Sequence, residues 1–469
     1  MIIPSPILLV PILRSYPNSH RLIVGYSGGI DSHVLLHLLA TNRSFWPERE
    51  LEAIYVDHNL QADNTAWGEH CARVCFELDI PFKALQIDAR PHYGEGQEAA
   101  ARRARYAALA TELSPKSALL TAHNCDDQAE TVLLQLLRGA GPHGLAAMPE
   151  SIRLGQGWLL RPLLGFSRTE LLKYAFSENL HWIEDKSNAD IHFSRNYLRH
   201  DIIPLIGRRW PAFSRSLSRS ARLCAEAASL LDKKAEVDLA QTQFDTGYKD
   251  ALYISKLCRL SEQSQRNLIR YWLRQLGLPV PSSQQLHYLL RDIISSRQDR
   301  QPCVRWPGGE ARRYKDMLYA MPPLPVHDIH QDFLWKSDNH HSFWPPLYLP
   351  GIGLLQMKAT SNFGIRSESL IQGLLNVRFR KGGERFHPSF RHHSQGLKKL
   401  FQEASIPPWQ RGRLPLIYRG SELIAVVGLG IAYDHGTSLG KVGWQPILDT
   451  RSGLVKSSGT SQRCNLGDC

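Results

Sequence analysis

The sequence predicts an α/β protein, with a parallel-sheet nucleotide-binding N-terminal domain, a small helical middle domain and a small α+β C-terminal domain. Three observations lead there. Short apolar runs alternate with helical patterns through the first two hundred residues, the pattern turns almost wholly helical past Pro204, and short strand-like runs surround one helix from Leu347 onward. A chain of 469 residues also exceeds what a single core accommodates, so several domains are expected.

In the first domain, expected over 15–210, the runs 22–26, 51–56, 82–87 and 118–121 read as buried strands, and 31–40, 63–79, 97–113 and 127–138 as helices. That alternation implies a parallel sheet covered on both faces, with ligands beyond the carboxyl ends of its strands. The middle domain, 211–325, shows helical stretches at 211–239, 261–276 and 282–296 before a proline-rich linker at 322–325. The C-terminal domain, 340–446, combines strand-like runs at 347–349, 377–380 and 423–427 with a helix at 394–404. A Ser/Gly-rich tail over 447–469 is expected to be flexible.

With 43 % hydrophobic and 21 % charged residues and no long unbroken apolar run, the composition excludes a membrane-spanning helix. The apolar start is broken by Pro4, Pro6 and Pro11 and lacks a basic leader, so it reads as mature chain. Eight cysteines without a CxxC pair point to reduced thiols in the cytoplasm, with Cys71 and Cys75 as small core residues. The net charge of +12 is local: 192–222 holds seven Arg and one Asp, and 378–413 nine Lys or Arg and two Glu. Such windows suit a polyanion, although solvated basic faces would read the same way.

The first motif, Ser27-Gly28-Gly29-Ile30-Asp31-Ser32, follows a strand and opens a helix, so glycine turns and helix N–H groups aim at an anion. It lacks the Lys of a GxxxxGK[ST] loop and the spacing of GxGxxG. The second runs from Thr121 to Thr131 and sets Asp126, Asp127 and Glu130 at the start of a helix. Asp127 and Glu130 share a face there and suit a cation, although acidic residues in a first turn also simply cap the dipole. Glu98, Arg102 and Arg105 follow one another on a helix face, as ion pairs would, and a polar cluster at 185–190 precedes Arg195-Asn196-Tyr197-Leu198-Arg199.

SGGxDS after a first strand resembles the pyrophosphatase-loop ATPases, which implies cleavage of ATP between the α- and β-phosphates. On that likeness Ser27, Gly28, Gly29, Ile30, Asp31 and Ser32 bind ATP, and Asp31 with Asp126 holds Mg²⁺. The full series resembles the tRNA(Ile)-lysidine synthase family over about 20–205: SGGxDS, AHxxDDQAET, RGxGxxGL, Arg161-Pro162-Leu163-Leu164 and DxSNxD with RNxxR. The likeness resumes in the segments 379–386, 397–403 and 406–409. Two departures stand out, Asn124 in place of a second His after His123, and a looser 56–60 than the usual His-Gly-Leu.

The resemblance implies that free L-lysine replaces the C2 oxygen of the wobble cytidine in an isoleucine tRNA with a CAU anticodon. Asp127, Glu130 and Asp31 would then be catalytic, with Asp127 and Glu130 holding the lysine. Arg105, Arg195, Arg199, Arg215, Arg219 and Arg222 form one expected RNA track, and Arg380, Lys381, Arg385, Lys398 and Lys399 another. Phe379, Phe386, Phe390 and Trp409 lie among the latter, available either to stack bases or to fill a core. A homodimer is compatible with all of this, and no membrane partner is expected. Two rivals remain at this level: another adenylating tRNA enzyme such as a thiolase, with Cys125 as a thiol, and a catalytically silent RNA binder.

Overall fold

The computed structural model describes residues 4–449 apart from 6, 7, 17, 58–63, 92–95, 185–189, 244–250, 295, 297–301, 339–342 and 372. The expectations for 58–60, for most of the polar cluster at 185–190 and for the tail from 450 lie outside those residues. The chain divides into two compact units, Met1–Leu231 and Asp232–Cys469.

The first unit is built on a six-stranded sheet with strands β1 (Arg21–Gly25), β2 (Glu50–Asp57), β3 (Phe82–Gln86), β4 (Ser117–Leu120), β5 (Ser151–Leu154) and β6 (Gly157–Leu160). Its order is β3-β2-β1-β4-β6-β5. All pairings are parallel except β5 with β6, and Leu22 of β1 faces Leu51 and Ala118 of its two neighbours. β1 and β4 are buried through most of their length, as apolar runs covered on both faces should be. The helices Ile30–Thr41, Asn64–Glu77, Gln97–Thr111 and Cys125–Leu137 fall within a few residues of the predicted ones. One core joins Leu22, Val24 and Leu120 to Val34, Leu35 and Leu38 of the first helix; a second holds Ile23, Ile54 and Leu119 against Leu109.

The strand order reverses between β1 and β4, so the loops leaving those two strands open onto one crevice. The β5–β6 hairpin is not predicted by the sequence pattern. Gly155, at φ +55°, makes its turn, and a Cβ on Gly157 would lie 2.6 Å from the Ser117 carbonyl oxygen. Tight backbone approach, with little side-chain pattern, defines that hairpin.

In the second unit the expected helices occur at Glu262–Gln275 and Ser283–Tyr288, the latter continuing as a wider turn over Leu289–Ile294. They pack on a four-stranded antiparallel sheet formed by Ala251–Tyr253, Cys303–Trp306, Gly309–Tyr314 and Met317–Met321, which the helical pattern of the sequence does not announce. The reason is visible in the buried Glu310 and Arg313, charged residues that break the apolar alternation of the Gly309–Tyr314 strand. Glu310 is held by Arg305 at 3.1 Å and Arg312 at 2.8 Å. The C-terminal part is α+β, with a five-stranded and a four-stranded sheet around one core and the helix Leu397–Glu403 over another.

Candidate active site

The loop after β1 turns at Gly28, whose φ of +78° suits glycine and where a Cβ would sit 3.0 Å from Cys71 Sγ. Gly29 is the N-cap of Ile30–Thr41 and offers no side-chain bond to the helix, which leaves first-turn N–H groups for an anion. Ser32 shapes the turn: its hydroxyl donates to the Gly29 carbonyl at 2.9 Å and accepts from the Ser27 N–H at 3.2 Å. The Ser27 and Ser32 hydroxyls lie 3.1 Å apart. Ile30 is buried and anchors the helix in the core beneath.

Asp31, in the first turn, faces the loop after β4. Its Oδ2 accepts from Asn124 Nδ2 at 3.2 Å, while its Oδ1 is buried and has no hydrogen-bond partner among the described residues. Burial, reinforced by Asp127, pushes its carboxyl up to about 6. An anionic oxygen left open in a crevice fits a cation, and Asp31 is the residue here that could hold Mg²⁺. Asp126 is placed differently from the expectation. Its Oδ2 accepts from the Arg168 N–H at 2.7 Å and its Oδ1 from the Ser214 hydroxyl at 2.7 Å, so it fastens two other helices. Among the described residues no three His, Cys, Asp or Glu side chains are grouped to hold a metal.

Asn124, which in the sequence stands out only as a departure, has a structural task. It is buried and caps Cys125–Leu137: its Oδ1 accepts from the N–H groups of Asp126 and Asp127, and its own N–H donates to Asp127 Oδ2 at 3.0 Å. The Asn-x-x-Asp spacing in the sequence is the signal for this reciprocal cap.

Asp127 and Glu130 are brought together on one face, as the spacing predicts, and both face cations. The cations are the protein's own. Arg195 Nε donates to Glu130 Oε2 and Arg199 Nε to Glu130 Oε1, each at 2.6 Å, and both guanidiniums reach Asp127 Oδ1 at 3.0 Å. Glu130 is buried, so two charged donors compensate its desolvation. Arg195 and Arg199 do not lie on an exposed phosphate track as expected; their side chains are only 21 % and 25 % exposed and their donors are directed at carboxylates.

The other predicted basic residues divide by exposure. Arg215, Arg219 and Arg222 are all exposed on the helix Phe213–Thr242, and Arg215 Nη2 donates to the buried Glu170 at 2.7 Å. Arg105 is half-buried, and its guanidinium and that of Arg102 lie over the Tyr106 ring at 5.4 and 5.3 Å. In the second unit Arg380 and Lys381 flank the Glu384 turn, and Lys381 lies 3.5 Å from Asp332. Arg385, Lys398 and Lys399 are exposed. Phe379 and Phe386 are core residues, Trp409 is half-buried against Tyr319 and Arg312, and Phe390 is exposed.

Cys71 and Cys75 are core residues as expected. The Cys125 thiol is buried and pushed up to about 11, chiefly by desolvation and then by Asp126, which is poor preparation for a nucleophilic thiolate. No helix among the described residues is long and apolar enough to cross a membrane.

Comparison with known proteins agrees with this architecture. Residues 9–206 match the PP-loop domain family, 252–319 the TilS substrate binding domain and 375–447 the TilS substrate C-terminal domain. The chain is 41 % identical to tRNA(Ile)-lysidine synthase of Coxiella burnetii, covering 94 % of this chain and 96 % of that one. It is 44 % identical to tRNA(Ile)-lysidine synthase of Alkalilimnicola ehrlichii, covering 87 % and 89 %. Among solved structures, a U34-tRNA thiolase from Methanococcus maripaludis aligns at 21 % identity and a TM-score of 0.40 over 47 % of this chain and 78 % of that one. With a PP-loop domain, both TilS domains and such identity over nearly the whole length, the chain belongs to the tRNA(Ile)-lysidine synthase family.

Proposed function

We propose that this protein joins L-lysine to C2 of the wobble cytidine of a CAU-anticodon isoleucine tRNA, using ATP and releasing AMP and pyrophosphate. The observation that carries the reading is the meeting of the phosphate loop and the acidic helix start at one crevice, joined through Asn124 and Asp31. The C2 oxygen is a poor leaving group. Adenylation turns it into one, because AMP then departs with the oxygen. The loop 27–32 would hold the pyrophosphate portion through backbone N–H groups and the serine hydroxyls. Asp31 would hold Mg²⁺, which when bound offsets the negative charge of the phosphates.

Lysine poses the second difficulty, because with a reference pKa near 10.4 only about one amine in several thousand is uncharged at neutral pH. Asp127 and Glu130 supply a carboxylate pair that already holds two guanidiniums, so a cation is what their geometry suits. In this reading Asp127 grips the ε-ammonium and assists its deprotonation as the amine attacks C2. Arg219, Arg222, Arg385, Lys398 and Lys399 are exposed cations suited to tRNA phosphates. A cytoplasmic location and a homodimer accord with this role.

The adenylating half is tested by AMP release. The purified protein should form AMP from ATP when unmodified CAU-anticodon isoleucine tRNA is present and much less without it. Equal AMP release with and without tRNA would remove RNA as the adenylated substrate.

A further inference from the structure

Among the exposed aromatic rings described in the C-terminal part of the second unit, Phe390 and Tyr433 stand on two segments that are hydrogen-bonded to each other. Phe390 is 62 % exposed and Tyr433 57 %, whereas Phe379 and Phe386 nearby are 2 % exposed. The Tyr433 ring stacks on His387 with centroids 5.0 Å apart and planes 13° from parallel. Phe390 lies over the backbone at Gly430, where a Cβ would come 3.3 Å from Phe390 Cε1.

These rings are fixed in place. The strap 387–391 is tied to the segment behind it by the Tyr433 N–H donating to the His387 carbonyl at 2.8 Å and the Ser389 N–H donating to the Ile431 carbonyl at 2.9 Å. Within the strap His387 Nε2–H donates to the Arg391 carbonyl at 2.9 Å, and Arg391 Nη2 donates to Glu403 of the Leu397–Glu403 helix at 2.5 Å. An exposed ring held by its backbone gives up little conformational freedom when a ligand lands on it.

The surroundings select the ligand. Arg385 pairs with Gly396, the N-cap of that helix, so it stands at the start of the helix that carries the exposed Lys398 and Lys399. The window 378–413 holds nine Lys or Arg against two Glu. Flat rings beside a row of cations suit a base on the rings and phosphates on the cations, because every base has a π-face. A basic protein partner would meet repulsion here.

We propose that Phe390 and the Tyr433–His387 stack form a platform for an unpaired RNA base, with the adjoining phosphates over Arg385, Lys398 and Lys399. The inference rests on the RNA-substrate reading and deepens it.

The test uses the full chain, a single-stranded RNA of about 12 nucleotides, the scale of such sites, with 2-aminopurine at its centre, and a blunt duplex of the same sequence. Binding of the single strand should quench the 2-aminopurine. The double variant F390L/Y433L should lose that quench and about tenfold in affinity with an unchanged salt dependence, because stacking releases no counterions. F390Y/Y433F should restore both, and K398A/K399A should keep the quench at saturation while flattening the salt dependence. The proposal is overturned if F390L/Y433L quenches and binds within twofold of the unaltered protein, or if the duplex binds as well as the single strand. Loss of quench in F390L/Y433L from a protein that fails to attach lysine would uphold the platform and sink the reaction instead.

Discussion

Asn124 Nδ2 donates to Asp31 Oδ2 across 3.2 Å while Asn124 Oδ1 accepts from the N–H groups of Asp126 and Asp127. One neutral side chain therefore joins the first turn of the helix Ile30–Thr41 to the first turn of the helix Cys125–Leu137. Its amide orientation follows from the network, because the two backbone N–H groups require the oxygen and Asp31 then receives the NH₂.

Asn124→Asp separates the two tasks. It keeps acceptors for the helix cap but removes the donor and adds a carboxylate beside Asp31 and Asp127. Thermal unfolding should change less than in Asn124→Ala, which forfeits a cap worth about 1 kcal/mol. tRNA-dependent AMP release should fall by about tenfold or more in Asn124→Asp, the scale of one misplaced catalytic group. AMP release at the unaltered level in Asn124→Asp would show that the bridge has no part in ATP use.

Glu130 is the hub of the arginine pair, accepting at both oxygens. Glu130→Gln should destabilise the protein by about 2 to 3 kcal/mol, because two partly buried guanidiniums lose their counter-charge. Arg199→Ala should cost less, since Arg195 still reaches both carboxylates. Urea midpoints measure both; a Glu130→Gln midpoint equal to that of the unaltered protein would contradict the assigned role.

Gly28→Ala places a side chain in a left-handed turn and against Cys71. The backbone alone costs about 1 to 2 kcal/mol, and the loop can relieve it only by changing the shape that holds phosphate. Calorimetric titration with MgATP should show clearly weaker binding, whereas unchanged affinity would place the nucleotide elsewhere.

For RNA, exposure ranks the basic residues of the 192–222 window. Removing the charges of Arg219 and Arg222 together should weaken tRNA binding and lower the slope of log K against log salt by about 1 for each phosphate that is no longer neutralised. A binding isotherm series over salt checks this, and an identical slope in R219A/R222A would take that helix face out of the RNA track.

Much of this is legible in the sequence because periodicity reports elements that are buried on one face or two. The βα alternation places β1, β2, β3, β4 and their helices within a few residues, and Ser27 to Ser32 and Asp127 with Glu130 arrive at one crevice as strand order demands. The sheet bearing Glu310 stays hidden because a buried, paired carboxylate reads as a surface residue. The same blindness affects Arg195, Arg199 and Asp126, whose type suggests solvent, phosphate or metal. Only the fold reveals that Arg195 meets Glu130 across 65 residues of chain and that Asp126 meets Ser214 across 88.

Incorporation of radiolabelled lysine into unmodified CAU-anticodon isoleucine tRNA, by the unaltered protein and by Asp127→Asn, tests the central claim most directly. The account predicts ATP-dependent labelling at the wobble cytidine by the unaltered protein, with Asp127→Asn slowed by about a hundredfold or more while it still binds ATP. Labelling by Asp127→Asn at the unaltered rate would contradict the role of the carboxylate, and no labelling by the unaltered protein, beside an active family enzyme as control, would contradict the reaction itself.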